Sequence, residues 1–257
     1  RKKIKLLAGV MIIAMTGGVF VGCGNNSASN EGKVTITVSG STSVGPLMEK
    51  IAEKYEEENS DVSIEINQTG SSAGIKDAMD GISDIGLSSR YLKGEEASKV
   101  QSTVLAYDGV AVITNTSNPI KELTIEQIRD IFTGKITNWN QIGGNDSPIV
   151  VVSRETGSGT RTAFEEGVGY SEEELVKTAT ISKGNGDVKT TVSTNENAIG
   201  FVSFEYLDDA ISAININGIK PTAENVKAGS YVLSRPFLAV TNEQYITEDT
   251  KNLIDYI

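Results

Sequence analysis

The chain has 257 residues, of which 38% are hydrophobic and 22% charged, and its formal net charge is −11 at pH 7. This composition is ordinary for a globular protein with one large domain or two lobes, and the acidic balance leaves no basic surface for binding nucleic acid. The absence of histidine excludes Ser-His-Asp and Cys-His catalytic sites and the commonest zinc and non-haem iron sites. The single cysteine, Cys23, excludes an intramolecular disulfide.

The N-terminal region predicts an export signal followed by a tether. Basic residues open the chain, an apolar stretch follows, and Phe20-Val21-Gly22-Cys23 ends it, an order typical of a secretory signal peptide over residues 1–22. The Gly-Cys junction resembles the lipobox of bacterial lipoproteins, although Phe20 replaces the usual leucine. It implies a lipid on Cys23, a flexible tether over residues 23–32 and an extracytoplasmic protein anchored to the cell membrane. The alternatives are a plain membrane anchor and a cleaved signal without lipid. We also expect further sequence beyond both ends of the chain.

Three segments of the chain share one pattern, in which a short strand runs into a Gly/Ser/Thr-rich turn and then into a helix. The turns lie at 39–46, 68–74 and 153–160. The first N–H groups of a helix have no intrahelical partner, and with the positive end of the helix dipole they bind anions. In open α/β sheets, ligands bind at the carboxyl ends of the strands. The pattern therefore favours an anion site in a cleft, whereas one such turn alone indicates only helix capping.

The third turn contains the strongest candidate residues for binding an oxyanion. Gly157 and Gly159 allow the backbone to approach a ligand closely. Ser158 and Thr160 add hydroxyl donors, and Arg154 supplies a permanently charged guanidinium that fits tetrahedral oxyanions. The alternative interpretation is a capped helix after a strand, with an ordinary surface arginine, since Gly-Ser-Gly by itself is weak evidence.

Asp108 has two interpretations. It lies in Tyr107-Asp108-Gly109, between the apolar runs 100–106 and 109–114, which predict two strands. It is therefore either a turn aspartate or a partly buried acceptor that faces the cleft. Trp139 is assigned to core packing.

The remaining elements predict a chain that leaves one lobe and returns to it. Crossovers near residues 115–119 and 220–221 divide the chain into one discontinuous lobe, residues 33–114 plus 221–257, and a second lobe, residues 115–220. An acidic helix is predicted over 171–177. A further helix is predicted over 188–194, and the turn before it could add another helix N-terminus to the cleft.

Taken together, seven motifs resemble the phosphate-binding lipoproteins of bacterial high-affinity phosphate ABC importers, which are class II substrate-binding proteins. The resemblance implies a two-lobe, periplasmic-binding-protein-like α/β fold in which each lobe is a mixed sheet flanked by helices, with one phosphate in the cleft between the lobes. The motifs cover the mature chain in order: SGSTSVGP at 39–46, GSSAGI at 70–75, DIGLSSR at 84–90, YDGVAVITN at 107–115, IFTGKITNW at 131–139, RETGSGTRTAF at 154–164 and IGFVS at 199–203.

The resemblance also implies the phosphate-binding residues. Where well-known members have an aspartate that accepts the proton of monohydrogen phosphate, this chain has Ser89, and Asp108 is our candidate for a replacement acceptor. Some members orient the site arginine with an aspartate at the position of Thr156, so Arg154 needs another partner, for which Glu155 is the candidate. The donors implied by the resemblance are Thr42, Ser43, Ser71, Arg154, Ser158, Gly159 and Thr160.

An acceptor matters because a fully ionised sulfate has no proton to offer to a buried carboxylate, whereas phosphate does. A site built to pair one polar group discriminates by about 10⁴–10⁵ when the competitor leaves that group unpaired. With Ser89 alone at this position, selectivity would be weaker. Sulfate, molybdate and tungstate therefore remain alternative ligands.

The resemblance further implies a receptor that passes its ligand to the permease subunits of an ABC transporter, acts as a monomer and needs no cofactor or metal. An enzyme is the competing hypothesis. The turn at Gly157 does not fit the Gly-x-Ser-x-Gly elbow of serine hydrolases, no histidine base exists, and the Walker lysine of a nucleotide-binding loop is missing. We therefore predict a binding protein that is not an enzyme.

Overall fold

A long mixed β-sheet with helices on its faces makes up the fold, as seen in a computed structural model that describes residues 32–257. The predicted signal peptide, Cys23 and nearly all of the predicted tether lie outside the described residues. The strands are β1 (Val34–Gly40), β2 (Val62–Asn67), β3 (Ile85–Ser88), β4 (Gln101–Asn115), β5 (Glu122–Leu123), β6 (Val150–Arg154), β7 (Thr180–Ser182), β8 (Ala198–Ser203), β9 (Ile211–Ala213), β10 (Asn215–Ile216) and β11 (Ser234–Thr241). The helices are α1 (Gly45–Glu58), α2 (Ser71–Asp80), α3 (Gly94–Ala97), α4 (Ile125–Phe132), α5 (Gly159–Val168), α6 (Gly184–Thr194), α7 (Ala223–Lys227) and α8 (Glu248–Tyr256).

The strand order is β2-β1-β3-β11-β4-β8-β6-β7, with β9 paired to β4. β1 is parallel to β2 and β3, and β6 is parallel to β7 and β8, whereas β11 runs antiparallel to β3 and β4. Since α1, α2 and α5 directly follow β1, β2 and β6, the predicted strand–turn–helix pattern is confirmed at all three turns. The mixed α/β fold is confirmed as well.

β4 is one long strand where the sequence predicts two. Its first part pairs with β11 up to Gly109, and its second part pairs with β8 from Val110 onward. Asp108 lies within this strand, directly opposite Arg235 of β11. The interpretation of Asp108 as a turn residue is therefore wrong, because pairing with β11 keeps the backbone extended there.

Separate apolar clusters cover the two parts of the sheet. Ile36, Leu87 and Phe237 belong to a cluster beneath α1 and α8. A larger cluster contains Phe164 and Phe201, whose stacked rings lie 4.0 Å apart, beneath α4 and α5. These clusters stabilise the sheet through apolar burial. Residues 32–257 pack as one unit, and the predicted lobe boundaries stay a prediction.

Trp139 lies in the larger cluster and is buried, as predicted, with its indole N–H donating to the carbonyl of Asn197 at 3.0 Å. The predicted acidic helix at 171–177 is instead a single 3₁₀ turn at Glu172–Glu174, because three consecutive glutamates provide no apolar face to bury. Among residues 32–257, no helix combines the length and the hydropathy that crossing a bilayer requires.

Gly74 allows α2 to lie directly against the end of β1. A Cβ atom at this position would be 2.5 Å from both the Cα of Gly40 and the carbonyl oxygen of Ser39. These are backbone atoms, which cannot rotate away. The contact places the N-terminus of α2 beside the first turn.

We predict that Gly74→Ala lowers the free energy of unfolding by about 1–3 kcal/mol, the usual cost of overpacking. The matched control is Gly186→Ala in α6, where an added Cβ meets no atom within 4 Å and should stabilise the helix by about 0.5–1 kcal/mol. Urea unfolding followed by circular dichroism measures both. Equal effects of the two substitutions would contradict this account of Gly74.

Candidate anion-binding site

The first turn brings two hydroxyls to the start of α1. Ser41 caps the turn, since its Oγ accepts from the backbone N–H groups of Ser43 and Val44 at 3.2 and 3.4 Å. Ser43 is buried and Thr42 is half-buried. The capping fixes the backbone at the helix N-terminus, so both side chains have defined positions.

The third turn meets the second turn and the end of β3 at Gly159. A Cβ on Gly159 would lie 2.3 Å from Ser71 Oγ and 2.7 Å from Ser89 Oγ, so only glycine permits this approach. Ser158 is the N-cap of α5, and its Oγ accepts from the N–H of Arg161 at 3.2 Å. Three separate segments of the chain therefore converge here.

Arg154 ends β6 and is only 1% exposed. Its Nε and Nη2 each donate to the Glu155 carboxylate at 2.8 Å, and Nη2 also lies 3.3 Å from Thr42 Oγ1. The prediction that Glu155 orients the arginine is confirmed. Within the described residues, the buried Nη1 has no hydrogen-bond partner, so this amino group of a fixed guanidinium keeps its donors.

The Arg154–Glu155 pair alters the titration of the carboxyl. Burial alone would raise the pKa of Glu155, but the hydrogen bonds and positive charge of Arg154 outweigh burial and hold this pKa below its ordinary value. Glu155 therefore remains a carboxylate at neutral pH and neutralises the buried guanidinium.

Hydroxyl contacts connect the predicted residues across the site. Ser43 Oγ lies 2.8 Å from Thr160 Oγ1, and Ser71 Oγ lies 3.2 Å from Ser89 Oγ. The structure thus brings together all the residues predicted for the first, second and third turns and for the end of β3. Asp108 joins them through one further residue, Arg235.

Arg235 is a buried residue of this cluster that sequence reasoning missed. It is 2% exposed, and its Nη2 donates to Ser43 Oγ and to Asp108 Oδ2, both at 3.0 Å. Burial lowers the pKa of Arg235 below its ordinary value, the Asp108 carboxylate opposes this effect, and the charge of Arg154 adds to it. The sequence offered one signal for Arg235, a charged residue immediately before the apolar run of β11. Its partner Asp108 could not be identified from the sequence, because the two residues are 127 positions apart.

Three further residues that sequence reasoning missed support the first turn. Asn185 Nδ2 donates to Ser43 Oγ at 3.0 Å and to Thr42 Oγ1 at 3.3 Å, and its Oδ1 accepts from the N–H of Ser203 at 3.1 Å. Tyr206 donates its hydroxyl proton to the carbonyl of Thr42 at 3.0 Å. Asn185 lies in the turn that the sequence proposes as a further helix N-terminus, so the Gly-Asn-Gly pattern was the signal. Ser203 is the last residue of the motif at 199–203, which was its signal, and Tyr206 had none.

Asp108 is partly buried, as predicted for an acceptor, and it is already paired. Its Oδ2 accepts from Ser203 Oγ at 2.8 Å and from Arg235 Nη2 at 3.0 Å. Each carboxylate of the cluster therefore has its own arginine. Residues 32–257 contain no group of three or more acidic or cysteine side chains arranged to hold a metal ion. The arrangement offers many donors, and its chemistry is that of oxyanion binding.

We predict that Glu155→Gln destabilises the protein at neutral pH. A carboxyl whose pKa is lowered by folding contributes stability above its unfolded pKa, about 4.3 for glutamate, and this stability is lost as the pH falls through the lowered value. The difference between wild type and variant should therefore shrink below about pH 4.

Urea unfolding at a series of pH values tests this, with exposed Glu57→Gln of α1 as the control. A difference between wild type and Glu155→Gln that stays constant down to the lowest pH would show that the ion pair is not its source.

Comparisons with known proteins agree with the fold. A family model described as a PBP superfamily domain matches residues 25–257. The phosphate-binding protein PstS of Bacillus subtilis is 33% identical over 271 aligned residues, which cover 98% of this chain and 86% of that protein.

Solved structures of phosphate-binding transport proteins also match this chain. A protein from Clostridium perfringens, described as a phosphate ABC transporter substrate-binding protein with bound phosphate, is 57% identical with a TM-score of 0.86, covering 87% of this chain and 93% of that one. An ABC-type phosphate transport receptor from Vibrio cholerae is 40% identical with a TM-score of 0.74, covering 86% and 92%. The chain therefore belongs to the PBP superfamily and, within it, to the family of the PstS phosphate-binding proteins.

Proposed function

We propose that this protein captures inorganic phosphate in the cluster of the three turns and delivers it to the permease of an ABC transporter. The observation that carries the proposal is the buried guanidinium of Arg154, whose Nη1 has no partner within residues 32–257 although the group is only 1% exposed. An unpaired buried cationic donor is costly, and a tetrahedral oxyanion would pair it. The phosphate-binding relatives support this ligand.

The proposed donors are hydroxyls, helix N-terminal amides and one guanidinium, and Asp108 is the proposed acceptor. The first N–H groups of α5 have no intrahelical partner, and with the dipole they favour an anion. Since the chain is strongly acidic, affinity must come from these local groups rather than from long-range attraction. The phosphate-binding residues are Thr42, Ser43, Ser71, Ser89, Asp108, Arg154, Ser158, Gly159 and Thr160.

We further propose that the ligand is enclosed between two lobes, residues 33–114 plus 221–257 and residues 115–220. Strand pairing refines these bounds, because β4 changes partner from β11 to β8 after Gly109, and Val110 and Leu233 pack in the larger apolar cluster. We therefore assign residues 110–114 and 221–233 to the second lobe, and the chain crosses between the lobes at 109–110 and returns at 233–234. There Gly109 faces Ser234, and the N–H of Val110 donates to the carbonyl of Leu233 at 2.8 Å. Two neighbouring strands that cross between the lobes at the same point are suited to act as their hinge.

This function does not include catalysis. The cluster has hydroxyls and guanidinium groups, but the chain has no histidine to act as a base. We propose a monomeric, extracytoplasmic receptor anchored through a lipid on Cys23.

Titration calorimetry tests the ligand. We expect one phosphate to bind per chain, arsenate to compete and sulfate to bind more weakly. Gly159→Ala should weaken phosphate binding about 10-fold or more, since overpacking costs about 1–3 kcal/mol and about 1.4 kcal/mol is tenfold in affinity. The added Cβ would also lie 2.9 Å from Ser71 Cβ, a contact that hydroxyl rotation cannot relieve. Gly186→Ala is the control.

Two results would contradict the proposal. Tighter binding of sulfate, molybdate or tungstate than of phosphate would assign another oxyanion. Turnover of activated esters or ATP without stoichiometric phosphate binding would favour the hydrolase hypothesis.

The lipid anchor has its own test. We expect cells that express the wild type and are fed labelled palmitate to label this protein, and cells that express Cys23→Ala not to label it, because the thiol is the acceptor of the diacylglyceryl group. Phosphate titration of the Cys23→Ala protein is the control, and it should match the wild type. Equal labelling of both proteins would refute lipidation at Cys23.

A further inference from the structure

Arg235 and Asp108 form a buried ion pair between neighbouring strands. They are direct cross-strand partners on β11 and β4. Arg235 Nη2 and Nε lie 3.0 and 3.3 Å from Asp108 Oδ2. The guanidinium carbon lies 5.5 Å from the centre of the Phe237 ring, a cation–π contact that helps to hold its orientation.

The pair contacts the proposed phosphate site from β11 and β4, which belong to none of the three turns. Arg235 Nη2 also donates to Ser43 Oγ at 3.0 Å, and Nη1 donates to the carbonyl of Ser89 at 3.4 Å. Arg235 therefore contacts three of the proposed phosphate-binding residues, Ser43, Ser89 and Asp108. Its donors and those of Arg154 belong to one cluster.

The hydrogen bonds to Asp108 leave part of the carboxylate free. Within the described residues, all three side-chain bonds end on Oδ2, two from Arg235 and one from Ser203. Oδ1 is thus available to accept a hydrogen bond. The buried pair of Arg90 and Glu96 differs, since two guanidinium nitrogens each meet a separate Glu96 oxygen at 2.8 Å and Arg90 contacts none of the proposed phosphate-binding side chains.

Charge balance explains what such a pair can do. Arg154 is neutralised by Glu155, and Arg235 is neutralised by Asp108, so the site contains no excess positive charge. An incoming oxyanion therefore gains most when it both accepts a hydrogen bond from a guanidinium and donates one to a carboxylate. A protonated phosphate can do both, whereas a fully ionised sulfate leaves the carboxylate unpaired.

We propose that Arg235 is a specificity-determining residue that acts with Asp108 as one charge-balanced pair, selecting oxyanions that retain at least one proton. This inference rests on the proposed function. Arg235 provides the donor and offsets the charge of Asp108, and Asp108 Oδ1 provides the acceptor. Neither residue performs this selection alone.

Ligand protonation is the source of the pH dependence that the pair predicts. The other titratable or charged groups that face the pair are Tyr231, whose phenol pKa is raised first by burial and then by Asp108, and Arg154 with its partner Glu155. Tyr231 stays neutral and Glu155 stays ionised between about pH 6 and pH 8, because the pKa of the phenol is raised and that of the carboxyl is lowered. Phosphate itself gains negative charge over this range.

The test is titration calorimetry of the purified protein with phosphate and with sulfate, at about pH 6 and about pH 8. Arg235→Gln leaves Asp108 unbalanced, so phosphate affinity should fall by about 30-fold or more at the higher pH and by clearly less at the lower pH. Asp108→Asn leaves Arg235 unbalanced, so sulfate affinity should rise about 10-fold or more. The double variant should bind phosphate more tightly than Arg235→Gln alone, because charge balance returns.

Arg90→Gln is the matched control, because it breaks a buried arginine–glutamate pair. It should lower the unfolding temperature without changing the ratio of phosphate to sulfate affinity. If Arg235→Gln does not fold, Asp108→Asn and Arg235→Lys still report on selectivity.

Three outcomes would overturn the proposal. The first is wild-type selectivity in both single variants. The second is a loss of phosphate affinity in Arg235→Gln that is equal at both pH values. The third is a wild type that binds no oxyanion, which would refute the proposed function as well, whereas the first two leave phosphate binding intact.

Discussion

The structure of the site depends on the burial of two guanidinium groups. A buried charge is tolerated only when it is paired and hydrogen-bonded, and here Glu155 pairs with Arg154 while Asp108 pairs with Arg235. Each carboxylate fixes an orientation as well as a charge. The surrounding hydroxyls of Ser43, Thr160 and Thr42 then have defined donors and positions, and the cluster becomes a preorganised set of polar groups.

Close approach between segments is the second constraint, and two glycines at the site illustrate it. Gly74 brings α2 onto β1, and Gly159 brings the start of α5 onto Ser71 and Ser89. At both places a single methyl group would separate segments whose polar atoms must meet. Dense packing transmits such a displacement directly, so the geometry of the site and the packing of the helices cannot be changed independently.

In the proposed site, charge balance lets this acidic protein bind an anion without attracting anions in general. Long-range attraction is weak because the net charge is −11, and the paired arginines present no free positive charge. Binding must therefore come from hydrogen bonds that few ligands can complete. In such a site, selectivity follows from the number of polar groups that a competitor leaves unpaired.

The sequence by itself determined the α/β class and the strand–turn–helix pattern at Ser71 and Gly159, because both rest on local periodicity and turn chemistry. Glu155 as the partner of Arg154 was suggested by the resemblance to phosphate-binding proteins, and the structure confirms this pair. Only the tertiary structure decided that Asp108 lies within a strand and that Arg235 lies beside it. Their pairing depends on the register of β11 against β4, which joins residues 127 positions apart. The two strands predicted on either side of Asp108 form the single strand β4 for the same reason, because cross-strand hydrogen bonds override a local turn signal.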